Sequence, residues 1–294
     1  MSNIVVYNNK DMVSNSRTVS SGKMSKPATF LRFNFNAREQ FRYLARNYFK
    51  VLNLKEDSYV LDVGCGPGDI TKYGLLPKLP KTTKKLVGID ISSDMINFAK
   101  MYHQDDKRLT YQVLDITTNE LPNNFRETFD HVFSFYCLHF ASDLRKAIEN
   151  IHLMLKSNGE IFFSILLRAP VLDYYERVVK KDDWCQYMNY FKSRLGPFQH
   201  STTSKELMES ILKETGFKVN LCKEERKLFI DSKENFMGLM DSMNYLNIPK
   251  HLEEKFSLSQ WEAVKEAGRD FIDEYGEEYT YYPYTLLIVH AKKY

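Results

Sequence analysis

Between Tyr59 and Asp69 the chain reads YVLDVGCGPGD, a short β-type run that breaks into glycine at alternate positions, Gly64, Gly66 and Gly68, before helical spacing resumes. Glycine lets the backbone adopt φ > 0 and lets a ligand approach the main chain closely. The spacing separates the known nucleotide loops. A dinucleotide fingerprint beginning at Gly64 requires glycine at 69, where Asp69 stands, and Asp62 and Asp69 would repel a pyrophosphate. A P-loop requires Gly-Lys-Ser/Thr, whereas Gly68 is followed by Asp69-Ile70. A glycine loop with an aspartate before its first glycine suits instead a ligand carrying a cationic or amine-bearing part.

Around this loop, strand-like and helix-like segments alternate, the pattern of a parallel sheet with crossover helices. Strands are expected at Tyr59 to Val63, Lys85 to Ile89, Leu109 to Leu114, His131 to Phe135 and Gly159 to Leu166. Helices are expected at Ile70 to Leu75, Ser93 to His103 and Asp143 to Leu155, the last stopped by Ser157-Asn158-Gly159. A further helix covers Asn36 to Leu52. After Leu167 two segments, 170 to 216 and 235 to 280, read as helical and aromatic, and they flank a strand-like stretch at Val219 to Ile230. Tyr284 to Ala291 reads as a last strand. Ligands of open α/β sheets bind outside the carboxyl ends of the strands, so the late segments are placed to roof that edge as a substrate lid. Residues 1 to 28 show neither period and read as a flexible leader. Residues 29 to 294 then form a single domain, with a ligand-binding half at about 30 to 166.

Two more acidic strand ends complete the ligand site. Asp90 closes the second strand, 22 residues after Gly68, where one carboxylate can accept hydrogen bonds from both hydroxyls of a ribose. Asp115 closes the third, where it can accept from the exocyclic amine of adenine, with Ile91 and Ile116 as apolar slabs against the ring. Singly, Asp90 could cap a helix and Asp115 could start a turn. Together they point to S-adenosylmethionine, and residues 30 to 166 resemble the class I S-adenosylmethionine-dependent methyltransferases. That resemblance implies a Rossmann-like α/β fold, a mostly parallel seven-stranded sheet with a helical lid from late insertions. It adds Gly64, Cys65, Gly66 and Phe135 to Asp62, Asp90, Ile91, Asp115 and Ile116 as cofactor-binding positions.

The fourth strand narrows the family. FDHVFSFYCLHF, ending at Phe140, resembles the corresponding segment of the arthropod juvenile hormone acid O-methyltransferases, which reads FDHVFSFY, a variable residue, then LHW. VLDVGCGPGDIT, LVGIDIS, YQVLDI and the NIPK at Asn247 to Lys250 also have counterparts there. In that family a sesquiterpene acid, farnesoic acid or juvenile hormone acid, is methylated to its ester. The resemblance implies substrate contacts at Asn36, where the family carries glutamine, at Phe140, where it carries tryptophan, and at His139. Gln40 replaces Asn36 if the ungapped count slips by one helical turn. His139 has two readings, a hydrogen-bonded structural histidine or a donor orienting the substrate carboxylate. A small-amine N-methyltransferase and a non-catalytic S-adenosylmethionine-binding protein remain as alternatives.

Charge and cysteine content set outer bounds. Lys plus Arg at 41 against Asp plus Glu at 38 leaves +3, with no basic block, so no nucleic-acid footprint is expected. No apolar stretch approaches the ~20 residues that span a bilayer, and the first 30 residues lack a signal-peptide core. A cytoplasmic protein is expected. The four cysteines, Cys65, Cys137, Cys185 and Cys222, form no CxxC pair, and His131, Cys137 and His139 lack a fourth ligand at usual spacing, so no metal site is expected. The 20 Phe and 19 Tyr could line an apolar acyl channel.

Overall fold

The computed structural model describes residues 26–168, 170–193, 198, 201–243, 246 and 248–294. Most of the expected leader, and Asn247 of the NIPK motif, lie outside these residues. Pro27 and Ala28, read as the end of the leader, open the first helix, α1 (Pro27–Phe33), where proline suits a first helical turn. Then follow α2 (Phe35–Tyr48), β1 (Tyr59–Val63), a wide π-type turn (Ile70–Leu75), β2 (Lys85–Asp90), α3 (Ser93–His103), β3 (Leu109–Val113), β4 (Phe129–Phe135), α4 (Leu144–Met154) and β5 (Leu155–Arg168). The second half comprises α5 (Pro170–Val179), α6 (Met188–Ser193), α7 (Ser204–Glu214), β6 (Phe217–Ser232), α8 (Lys233–Met243), α9 (Glu253–Glu266), β7 (Asp270–Ile272) and β8 (Glu278–Lys293).

The strands form one sheet in the order β3-β2-β1-β4-β5-β8-β6, with β7 added on β8. Pairs among β1 to β5 are parallel, and β8 runs antiparallel to β5, β6 and β7. The sheet therefore has eight strands, one more than expected. The extra strand arises because β8 starts at Glu278 rather than Tyr284. Its aromatic run Tyr279 to Tyr284 is already extended and pairs with β6, and Asp270 to Ile272 folds back on its first residues.

Pairing along β8 has a break. Its pairing with β5 stops at Thr285 and with β7 at Thr280, so between them β8 has a strand partner only on its β6 side among the described residues. Pro283, which has no N–H to donate, sits in this gap. Ser157 to Gly159 likewise takes a different role from the expected one. The helix ends at Met154, and Asn158 (φ 62) and Gly159 lie in β5, where its register against β4 shifts. They form a bulge, not a helix stop.

Both faces of the parallel strands are covered, which is why these strands read as continuous apolar runs. Leu61 and Val63 face α4 and α7, joining Ile148, Ile151, Met208 and Leu212 in one core. Val60 faces the opposite side with Phe41 and Leu44 of α2 and Ile96 of α3. A third core joins α5, α6, α8 and α9 around Tyr175, Trp184, Phe236 and Trp261. The two expected lid segments thus divide. Residues 170–193 and helices α8 and α9 build the third core, whereas α7 belongs to the main sandwich and β7 and the start of β8 belong to the sheet.

Candidate functional site

The loop after β1 is fastened before any ligand enters. The N–H groups of Gly64 and Cys65 both donate to Ile89 O, at 2.7 and 3.0 Å, which draws the loop over the end of β2. Gly64 sits at φ 75, and a Cβ there would stand 2.2 Å from Cys137 Sγ, so its missing side chain admits the chain after β4. Gly66 (φ 54) differs: a Cβ would meet only Phe30 Cε1, at 3.9 Å. Of these two glycines, Gly66 is the one that leaves open space.

The two later strand ends meet at one pocket. Asp90 accepts from Gly66 N at 3.0 Å through Oδ2 and from Ser92 N at 2.8 Å through Oδ1, so it ties the glycine loop to the start of α3. Ser92 in turn caps α3 by accepting from Met95 N. Asp115 Oδ1 accepts from the backbone N and the hydroxyl of Thr117, at 2.8 and 2.7 Å. A carboxylate offers up to about four acceptor sites. Asp90, Ile91, Asp115, Ile116 and Phe140 line a half-open pocket of ≈ 580 Å³, floored by Val63 and Gly64. Ile91 is 43% exposed at its mouth, as an apolar slab waiting for a flat ring would be.

Four of the sequence-derived cofactor residues are not among those that line this pocket. Asp62 is buried and accepts from Thr71 Oγ1 at 2.7 Å, outside the pocket lining. Burial, with the charges of Asp90 and Asp69, pushes its carboxyl up to about 7 against the Thr71 bond. The Cys65 thiol is buried in the α2-side core near Tyr111. Gly66 joins the pocket's wall by donating to Asp90. The Phe135 ring packs edge-on against Phe41, centroids 5.0 Å apart, within an aromatic core that includes Phe133, Phe49 and Phe162. These residues shape the site from behind.

The substrate candidates also separate. Phe140 lines the same pocket as Asp90 and Asp115. His139 is buried with its ring 4.1 Å from that of Phe140, and its Nδ1 has no partner. Burial pushes it down to about 3, so it is neutral at physiological pH and cannot serve as an acid there. Asn36 donates at 2.7 Å to Asp231, which also receives Asn235 Nδ2 and, at 2.6 Å, the Tyr282 hydroxyl. One turn along α2, Gln40 donates to the Tyr284 hydroxyl. Sequence reasoning missed Thr117, which the D-x-T spacing could have flagged, and Asp231, which no local pattern marks. No group of three or more potential metal ligands occurs among the described residues, and no described helix is long and apolar enough to cross a membrane.

Comparison with known proteins fits this geometry. A family described as methyltransferase domain matches residues 61–163. The juvenile hormone acid O-methyltransferase of Drosophila melanogaster is 27% identical over 92% of this chain and 93% of its own. Its Bombyx mori namesake is 29% identical over 78% and 82%. The Bacillus subtilis YcgJ protein shares the fold, with a TM-score of 0.56 at 14% identity over 86% of this chain and 98% of its own. With its carboxylates at the ends of β2 and β3 and its fastened glycine loop, the chain is a class I S-adenosylmethionine-dependent methyltransferase that resembles the juvenile hormone acid O-methyltransferases.

Proposed function

We propose that this protein methylates the carboxylate of a hydrophobic acid, such as farnesoic acid or juvenile hormone acid, to give a methyl ester. The observation that carries this reading is the extent of the likeness to the fly enzyme. It spans 92% of the chain, beyond residues 61–163 and into the aromatic third core. A carboxylic acid acceptor, which titrates at about pH 4 in water, is already ionised at neutral pH, so no general base is needed. That agrees with a His139 held neutral and buried. An amine acceptor would call for a carboxylate to hold it. The two carboxylates that reach α2 from β6 are already committed, Asp231 to Asn36, Asn235 and Tyr282, and Glu225 to Tyr43, Tyr48, Lys223 and Lys227.

In this reading Asp90 holds the ribose, Asp115 the adenine amine, and Ile91 and Ile116 the ring faces. The bound donor supplies the methyl group on a sulfonium. The protein's own work is to align the carboxylate with that methyl and to replace water around it by fixed dipoles. Residues 29–294 act as one domain, the third core roofing the acceptor; neither nucleic acid nor membrane insertion is involved.

Labelled donor offered with farnesoic acid, with histamine and with no acceptor tests the proposal. An alkali-labile product with the acid alone is expected. An alkali-stable product with histamine, or no transfer to either, overturns it.

A further inference from the structure

One group of buried polar atoms on the α2 side of the sheet is not used by the donor pocket. Tyr136 directly follows β4 and sits at φ 55, a left-handed conformation that a bulky residue keeps only where its surroundings hold it. Its N–H donates to Ser164 O on β5 at 3.2 Å, and the next residue, Cys137, lines the donor pocket. The Tyr136 hydroxyl is buried and directed toward that of Tyr284 without reaching hydrogen-bonding geometry. The Tyr284 ring lies flat on Phe229, centroids 3.9 Å apart and planes 9° from parallel. Its oxygen accepts from Gln40, whose own Oε1 is buried without a partner. Unmet polar atoms under apolar cover weaken a fold, so their presence beside a residue that lines the pocket asks for a ligand.

We propose that the Tyr136 and Tyr284 hydroxyls receive the acceptor's carboxylate, and that Gln40 is a positioning residue that directs the Tyr284 proton toward it. The inference rests on the carboxyl-methylation reading above. With one lone pair of Tyr284 taken by Gln40, the Tyr284 proton is left for the ligand. Burial keeps both phenols protonated, Tyr284 being pushed up to about 12 and Tyr136 raised well above its ordinary value. Neutral donors orient a carboxylate without pairing its charge, as an arginine would do at the expense of nucleophilicity. In the step itself a carboxylate oxygen forms the bond to methyl carbon while the carbon–sulfur bond breaks and its electron pair goes to sulfur. Negative and positive charges cancel, leaving a neutral ester and S-adenosylhomocysteine, and no proton moves.

The test measures kcat and KM for decanoic, palmitic and farnesoic acids, with donor affinity by calorimetry. Tyr136→Phe and Tyr284→Phe should each lower kcat/KM for the acids about ten- to a hundred-fold while leaving donor affinity within about twofold. Gln40→Met should cost about fivefold in the wild type and nothing further in the Tyr284→Phe background, because it acts through that oxygen. A packing role would instead give additive losses. Folded Tyr136→Phe/Tyr284→Phe with wild-type acid kinetics overturns the clamp and leaves the carboxyl reading standing. If a phenylalanine variant fails to fold, Gln40→Met decides, since both rings stay in place; unchanged acid kinetics there overturn the clamp. A wild-type protein that methylates none of the acids overturns the reading beneath it, and the clamp with it.

Discussion

The donor half and the acceptor half of the molecule hold their polar groups in opposite ways. In the donor half the partners lie comparatively close along the chain: Asp90 with Ser92 and, 24 residues back, with Gly66, Asp115 with Thr117, Asp62 with Thr71 nine residues on. In the acceptor half they come from opposite ends, 195 residues apart for Asn36 and Asp231 and 244 for Gln40 and Tyr284. A local arrangement forms wherever its own strand and turn form. A long-range one exists only after β6 and β8 have paired and α2 has docked on them. The difference teaches that the two halves should respond differently to mutation, the first through ligand affinity and the second through stability as well.

The largest effect is expected at Asp90. Asp90→Ala removes the acceptor for Gly66 N and Ser92 N together with the ribose bonds proposed for it, so donor affinity should fall about a hundredfold or more. Calorimetric titration of the folded variant checks it, and unchanged affinity would break the donor-half account. Next comes Asn36→Ala. It withdraws one of three donors from a buried carboxylate and should cost about 1–2 kcal/mol in denaturant unfolding, with donor affinity little changed. A loss of acid turnover with no loss of stability would return Asn36 to the substrate.

A smaller effect follows from pH. The Asp62 carboxyl, at about 7 in the folded protein against ~3.9 in an unfolded chain, binds its proton more tightly when folded. Its contribution to stability is therefore full below pH ~4 and lost as pH rises through about 7. A cationic donor prefers the ionised form, so its affinity should rise severalfold from pH ~6 to ~8. Titrations across that range should show the slope in the wild type and a flatter line in Asp62→Asn; equal slopes would detach Asp62 from the donor. Smallest is Phe140→Trp. Because Phe140 lines the donor pocket, donor affinity should change by about two- to threefold while the ranking of acids stays the same. A reordered ranking at constant donor affinity would place this residue with the acceptor.

What could be read in the chain follows the same division. β1 and α3 fall at their expected bounds, Tyr59 to Val63 and Ser93 to His103, because apolar runs, a serine cap and a glycine turn each act within a few residues. The pocket residues Asp90, Asp115, Ile91 and Ile116 were legible for that reason, being strand ends in order. Which way a side chain points from a loop was not legible. Cys65 faces the core while its neighbour Gly64 floors the pocket, a choice made by packing against Tyr111 and Cys137. Nor was the role of α7. Its periodicity is that of any amphipathic helix, and only the position of α4 puts Met208 and Leu212 in the main sandwich rather than the third core. Asn36 reads as a substrate contact from its alignment with the family's glutamine, and its bond to Asp231 is invisible from α2.

The break in pairing along β8 bears on how much of the sheet's edge is left open to another strand. A strand flank without a partner is a template on which another molecule's strand can add. Here the stretch between Thr280 and Thr285 would be such a template, but Pro283 brings no N–H to it, and Tyr174 of α5 lies edge-on against Tyr282, centroids 6.5 Å apart. The sheet can thus end β5 early and send the chain off into the third core without offering a continuous edge for aggregation.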